Sequence, residues 1–214
     1  GRIKGDAVIE CNDDGAEFVE ARVKCSLSEI FEHPDAEMLR QFLPVEPESR
    51  EAGTGTLLLV QVNLFECGGM SIGFSISHKF GDATTLSTFI NCWTAAAHDQ
   101  SNMLMLPKYD QSNSEPLPSL EVDKEKFITR RFVFEASKIA ALKSKAATTV
   151  PNPTRVEVVS ALIWKCALQA SRSNLGFTKP SAWVQVVNMR KRSGLAIAEN
   201  ILGNFVSMFT AMTM

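Results

Sequence analysis

Ile72, Phe74 and Ile76 alternate with Ser71, Gly73, Ser75 and Ser77, the period-two pattern of a half-buried strand. The period then changes. Leu86, Phe89, Ile90, Trp93 and Ala97 recur at helical spacing, which predicts a helix that begins close to Asp82 and buries that stripe. The junction reads Ser77-His78-Lys79-Phe80-Gly81-Asp82. Gly81 is expected to take the positive φ that a sharp strand-to-helix turn often needs. His78 has the parity of the apolar face, so it is expected to point toward packed interior near an element end.

The same reading extends along the chain. Val8 to Cys11 and Phe18 to Val23 flank the turn-rich Asn12-Asp13-Asp14-Gly15 and predict a β-hairpin. Ser26 to Pro44 predicts one or two short helices interrupted at His33-Pro34. Leu57 to Phe65 is a strand in which Val60, Val62 and Leu64 alternate with Gln61 and Asn63, and Glu66-Cys67-Gly68-Gly69 turns it into the His78 strand as a second hairpin. Ser112 to Lys126, rich in Ser, Pro and Glu and without periodicity, marks a linker. The expected organisation is therefore an N-terminal domain over 1–111, a crossover over 112–126 and the beginning of a C-terminal domain over 127–214.

In that second part, Arg131 to Phe134 predicts a strand and Ser137 to Ala147 a helix. Thr154-Arg155-Val156-Glu157 is a capping-box signature opening a helix with Val159, Leu162, Ile163, Cys166, Ala167 and Ala170 on one face. Trp183 to Val187 reads as a buried strand and Phe205 to Met214 as another. Trp93 and Trp164, on helices among apolar neighbours, read as packing residues. Mixed elements with hairpins in the first part point to an α/β sandwich with mixed sheets. An apolar strand at the last residue leads us to expect that the chain stops inside its second domain.

Composition narrows the classes. With 214 residues and 45% hydrophobic content the chain has ample material for a core. A net charge of −2 gives no electrostatic footprint for nucleic acid, and Arg190-Lys191-Arg192 is the single dense basic cluster. No segment has the length and apolarity of a membrane helix. Five cysteines, with neither Cys-x-x-Cys nor zinc spacing, favour a reducing, cytoplasmic setting, and Cys92 and Cys166 read as small hydrophobes within helices. A metal site is not expected, because neither His33 nor His98 has a second ligand at a recognised spacing.

The chemistry-bearing pattern is the His-x-x-x-Asp of His78 and Asp82. A histidine at an element junction suits a general base. A satisfied core histidine reads equally well from the residues, and Asp82 reads as a helix N-cap with a structural role.

Taken in order, Gly1-Arg2-Ile3, Cys11-Asn12-Asp13-Asp14-Gly15, Phe18-Val19-Glu20-Ala21, Phe65-Glu66-Cys67-Gly68-Gly69, Ser77-His78-Lys79-Phe80-Gly81-Asp82, Phe89-Ile90-Asn91-Cys92-Trp93, Ile163-Trp164-Lys165, Val187-Asn188-Met189-Arg190 and Gly203-Asn204 resemble the plant acyl-CoA-dependent acyltransferases of the BAHD family, in its vinorine synthase-like branch. The resemblance implies a chloramphenicol acetyltransferase-like two-domain α/β sandwich with mixed sheets, whose second domain is incomplete here. It implies that His78 is the general base and that Asp82 forms a salt bridge with Arg190, tying the first domain to the second. It also implies acetyl-CoA or another acyl-CoA as co-substrate with no permanently bound cofactor, a small-molecule alcohol acceptor, and a soluble monomer. The family's N-terminal segment and its Asp-Phe-Gly-Trp-Gly motif have no counterpart in these residues, so the fragment alone is expected to have little activity. An amine acceptor and a non-catalytic family member stay open as alternatives.

Overall fold

The computed structural model describes residues 1–4, 8–46, 55–98, 108–109, 129–192 and 200–213. The proposed crossover at 112–126 lies outside them. The chain divides into two compact units, Gly1–Arg130 with Asn188–Val206, and Arg131–Val187 with Ser207–Met214. The segment carrying Arg190 thus belongs with the first unit, although its sequence position falls in the range read as the C-terminal domain.

In the first unit, β1 (Arg2–Lys4) and β2 (Val8–Glu10) pair antiparallel, with Ile3 opposite Ile9. The central sheet runs β3 (Glu17–Val23), β4 (Leu58–Phe65), β5 (Met70–Ile76). β3 is parallel to β4, from Glu17 opposite Leu59 to Val23 opposite Phe65, whereas β4 and β5 form the antiparallel hairpin expected around Glu66–Gly69. The expected hairpin of β2 with β3 is not formed. Asp13 and Gly15 do turn the chain, with φ of 55° and 74°. The seven-residue β3, however, matches the eight-residue β4 over its whole length, a longer ladder than the three-residue β2 offers.

A parallel pair needs a long crossover. Helices α1 (Leu27–Glu32) and α2 (Ala36–Arg40) lie within it, interrupted at His33-Pro34 as the sequence predicts. Ser26 and Glu29 form a reciprocal capping box on α1, and Asp35 caps α2 by accepting from the amides of Glu37 and Met38. The chain leaving α2 then settles on the sheet. A Cβ added to Gly73 would lie 2.1 Å from the Phe42 carbonyl oxygen, so only glycine leaves room for this backbone. That arrangement buries the polar positions of β4. Asn63, fully enclosed, donates to the Phe42 carbonyl at 3.1 Å, and Gln61 donates to the Gln41 carbonyl at 2.9 Å and to Asn63 Oδ1 at 2.7 Å.

Helix α3 (Ala83–Ala97) follows β5 and packs its aromatic stripe on the sheet. Phe74 meets Trp93 edge-on at 5.6 Å between centroids, and Phe89 stacks on Trp93 at 6.4 Å. The unit also contains the short parallel pair β6 (Lys108–Tyr109) and β8 (Ile201–Leu202).

In the second unit, α4 (Ala136–Ala146) packs on α5 (Arg155–Leu175). The predicted capping box of Thr154 and Glu157 opens α5, and Gly176, at φ 76°, closes it. The pair β7 (Ser181–Asn188) and β9 (Val206–Thr213) gives this unit most of its sheet. Trp164 donates from Nε1 to Ser181 Oγ at 2.9 Å, with Trp183 6.4 Å away. Three expectations change here. Arg131 to Phe134 forms no strand, because no neighbouring strand among the described residues pairs with it, and Phe132 and Val133 are exposed. β7 alternates in burial, with Val184 and Val186 on an open face, where a buried strand was expected. Cys166 is exposed on α5, as is Ile163 of the same apolar stripe, where a packed face was expected.

Candidate active site

The site is built at the exit of β5. The strand ends at Ile76, and Ser77 donates its amide to the Leu57 carbonyl at 3.0 Å, the last bond of the edge. The chain then turns, with the Phe80 amide donating to the Ser77 carbonyl at 2.9 Å and the Gly81 amide to the same oxygen at 3.3 Å. The turn breaks the period-two rule one residue before His78. Ser77 is consequently the buried residue and His78 is exposed, a correction to the inward-pointing histidine expected from parity. The main chain of His78 is held from another segment: Asn204 donates from Nδ2 to the His78 carbonyl at 2.7 Å.

Gly81 is required for a reason other than the one its sequence suggested. Its φ is not positive. A Cβ there would lie 2.5 Å from Thr85 Cγ2 and 2.6 Å from Thr85 Cβ, and Thr85 is wholly buried on the first turn of α3. Gly81→Ala is therefore expected to push α3 away from the turn and destabilise the protein by about 1–3 kcal/mol, as overpacking does. Urea unfolding of the variant measures this; an unchanged midpoint would show that Thr85 yields.

Asp82 caps α3. Its Oδ1 accepts from the Thr85 amide at 3.0 Å. The carboxylate also meets Arg190 as a fork, Nη1 to Oδ2 at 2.7 Å and Nη2 to Oδ1 at 3.1 Å, with both side chains almost fully buried. The Phe205 amide adds a bond to Oδ2 at 3.2 Å. Burial works to raise the Asp82 carboxyl, but the hydrogen bonds from Arg190 and the Thr85 amide, the guanidinium charge and the Phe205 amide outweigh it and hold the group below its ordinary value.

Arg190 is satisfied beyond this pair. Nε donates to the Ile201 carbonyl at 3.2 Å, and Nη2 lies 3.0 Å from the same oxygen and 2.9 Å from the Gly203 carbonyl. The guanidinium lies over the Phe205 ring, 5.0 Å from its centroid. Asn188 accepts the Arg190 amide at 3.0 Å and donates to Thr84 Oγ1 at 2.9 Å. Both partners of the ion pair fall within the first unit, whereas the resemblance implied a tie between two domains. The reason is that the chain returns to the start of α3 immediately after β7.

The structure thus brings Asp82, Arg190 and Gly81 into one buried cluster, with His78 exposed on the turn that the cluster supports. Sequence reasoning missed Thr85, and it named Gly203 only as part of the resemblance. Thr85 Oγ1 accepts from the Gly203 amide at 3.0 Å and lies 3.0 Å from the Gly203 carbonyl. A signal was present: threonine at the third position after an N-cap aspartate, on the buried side of an otherwise apolar stripe. Among the described residues no cluster of three His, Cys, Asp or Glu side chains could hold a metal ion.

Comparison with known proteins gives the family. The Transferase family model matches residues 1–214, and the chain belongs to the BAHD acyltransferases of that family. BAHD acyltransferase BIA1 of Arabidopsis thaliana is 38% identical over 98% of this chain and 51% of its own length. Stemmadenine O-acetyltransferase of Catharanthus roseus is 35% identical over 99% of this chain and 53% of its own length. The crystal structure of vinorine synthase superposes with a TM-score of 0.84 at 34% identity, covering 100% of this chain and 53% of that one. The chain spans about half the length of the curated relatives it matches. No helix among the described residues is long and apolar enough to cross a membrane.

Proposed function

We propose that the protein containing this chain is an acyl-CoA-dependent O-acyltransferase that moves acetyl from acetyl-CoA to an alcohol of a plant specialised metabolite, an alkaloid, terpenoid or aromatic alcohol. The observation that carries the proposal is an exposed histidine whose main chain is fixed from behind, by Asn204 at its carbonyl and by the Asp82–Arg190 pair at the end of its turn. Family membership and the similarity to a stemmadenine O-acetyltransferase support the choice of acetyl and of an alcohol.

A hydroxyl is a poor nucleophile at neutral pH, so its proton must leave as its oxygen attacks the thioester carbonyl. His78 takes that proton. The tetrahedral oxyanion collapses, the carbon–sulfur bond breaks, and the coenzyme A thiolate recovers a proton from the imidazolium. No covalent enzyme intermediate is needed, and coenzyme A enters and leaves as a substrate. Asp82, capping a helix and spent on Arg190, takes no part in proton transfer and acts by holding the turn. The protein is a monomer in this reading, and its five cysteines, without a zinc or Cys-x-x-Cys spacing, favour the cytoplasm, where thiols stay reduced.

The test is acetyl transfer by the protein expressed from its complete coding region, with an alcohol and its amine analogue offered in parallel with acetyl-CoA. Ester formation matched by release of free coenzyme A is expected. Amide formation alone would reassign the protein to amines, and the absence of transfer from any acyl-CoA would overturn the proposal.

A further inference from the structure

Two cysteines outside this site are brought to the same end of the central sheet. β3 and β4 run parallel with Val23 opposite Phe65, and the Glu66 amide continues the ladder by donating to the Val23 carbonyl at 3.2 Å. Past that bond both strands end, and the Leu27 amide, two residues after Cys25, reaches the Cys67 sulfur, which holds Cys67 beside the Cys25 segment.

Their surroundings differ. Cys67 is exposed in the β4–β5 turn, and its sulfur accepts the Leu27 amide at 3.3 Å. That bond, with a second from the Gly69 amide, lowers the Cys67 thiol below its ordinary value. Cys25 is half-buried. Burial raises its thiol, and the charges of Glu29, Cys67 and Glu66 raise it further. Cys67 therefore gives up its proton more readily than Cys25.

We propose that Cys25 and Cys67 form a redox pair that closes to an intramolecular disulfide when the protein meets a hydroperoxide. The Cys67 thiolate attacks the peroxide, the oxygen–oxygen bond breaks, and the sulfur becomes a sulfenic acid as the leaving oxygen takes a proton and departs as water or an alcohol. The Cys25 sulfur then attacks Cys67 sulfur. The sulfur–sulfur bond forms, and the sulfenic oxygen leaves with the Cys25 proton as water. Two thiols lose two electrons and the peroxide gains them. The closed loop contains α1 and α2, whose exit backbone lies on Gly73 of β5.

The experiment treats the complete, folded protein with hydrogen peroxide, alkylates the remaining thiols and maps the tryptic peptides. Cleavage after Lys24, Arg40, Arg50 and Lys79 places the two cysteines alone in peptides 25–40 and 51–79. These are expected joined, about 2 Da lighter than their sum, and separated again by dithiothreitol. Cys25→Ser is expected to stop at a sulfenic acid on Cys67, trapped by dimedone, while Cys67→Ser leaves Cys25 reduced. Both thiols alkylated in full after peroxide treatment of the wild type would overturn the proposal. So would peroxide-induced disulfides confined to Cys11, Cys92 or Cys166. Neither outcome depends on acyl transfer, so this pair stands or falls apart from the catalytic reading.

Discussion

Replacement of His78 by alanine is expected to lower the turnover of the complete enzyme by about 10²–10⁴-fold, the usual contribution of a positioned general base, with little change in stability. The asymmetry follows from where the residue sits. Its side chain is exposed, and the bond from Asn204 is made to its carbonyl oxygen, which alanine keeps. Exposed positions of this kind change stability by about 0.5 kcal/mol or less on substitution. The loss should fall on kcat more than on KM, because the imidazole is asked to take a proton and not to bind the acceptor tightly. Steady-state kinetics beside urea unfolding decide the matter. Retained turnover would remove His78 from the chemistry, and lost turnover with a collapsed midpoint would make it a structural histidine.

Asp82→Ala and Arg190→Ala should show the opposite balance. Each leaves a buried charge without its partner, a loss of about 3–5 kcal/mol, and Arg190→Ala also removes the guanidinium bonds to the Ile201 and Gly203 carbonyls. Because the two residues share one interaction, the double variant should cost well under the sum of the singles. The pair also makes stability depend on acid. The Asp82 carboxyl is held below its unfolded value near 3.9, so its contribution is complete above about pH 4 and is lost as pH falls through the lower folded value. Asp82→Asn should therefore flatten the acid limb of the stability profile. An Asp82 variant that folds as tightly as the wild type but does not turn over would contradict the structural assignment and place this carboxylate in the reaction.

What the sequence revealed and what it concealed divide along a physical line. Elements marked by local periodicity and caps were legible: the β4–β5 hairpin, the break at His33-Pro34, the start of α3 at Asp82, and the box at Thr154. Partnership between distant segments was not. The pattern of β3 says that a strand exists but not that its neighbour lies across a crossover, and the alternation of β4 cannot tell solvent from a polar layer closed by backbone carbonyls of residues 41 and 42. His78 shows the limit most clearly, since parity holds only while the strand lasts and a turn resets it. Asp82 and Arg190 could be named from the sequence because the family resemblance supplied the pairing; no spacing rule joins residues so far apart. Thr85 was visible only as a polar intruder in an apolar stripe.

The first unit is discontinuous, and that sets an order of events at the ribosome. Asp82 emerges early, yet its compensating guanidinium and the carbonyls beside it belong to a stretch that follows the whole segment 131–187. Until Arg190, Gly203 and Phe205 leave the exit tunnel, the start of α3 holds a carboxylate that must stay hydrated, and the turn bearing His78 has no backing. Contacts that close so long a stretch of chain are entropically expensive and form late. The helix start should accordingly be the last part of this unit to lock during synthesis, and the nascent chain should stay open to proteolysis at the turn until the segment through Phe205 has been translated.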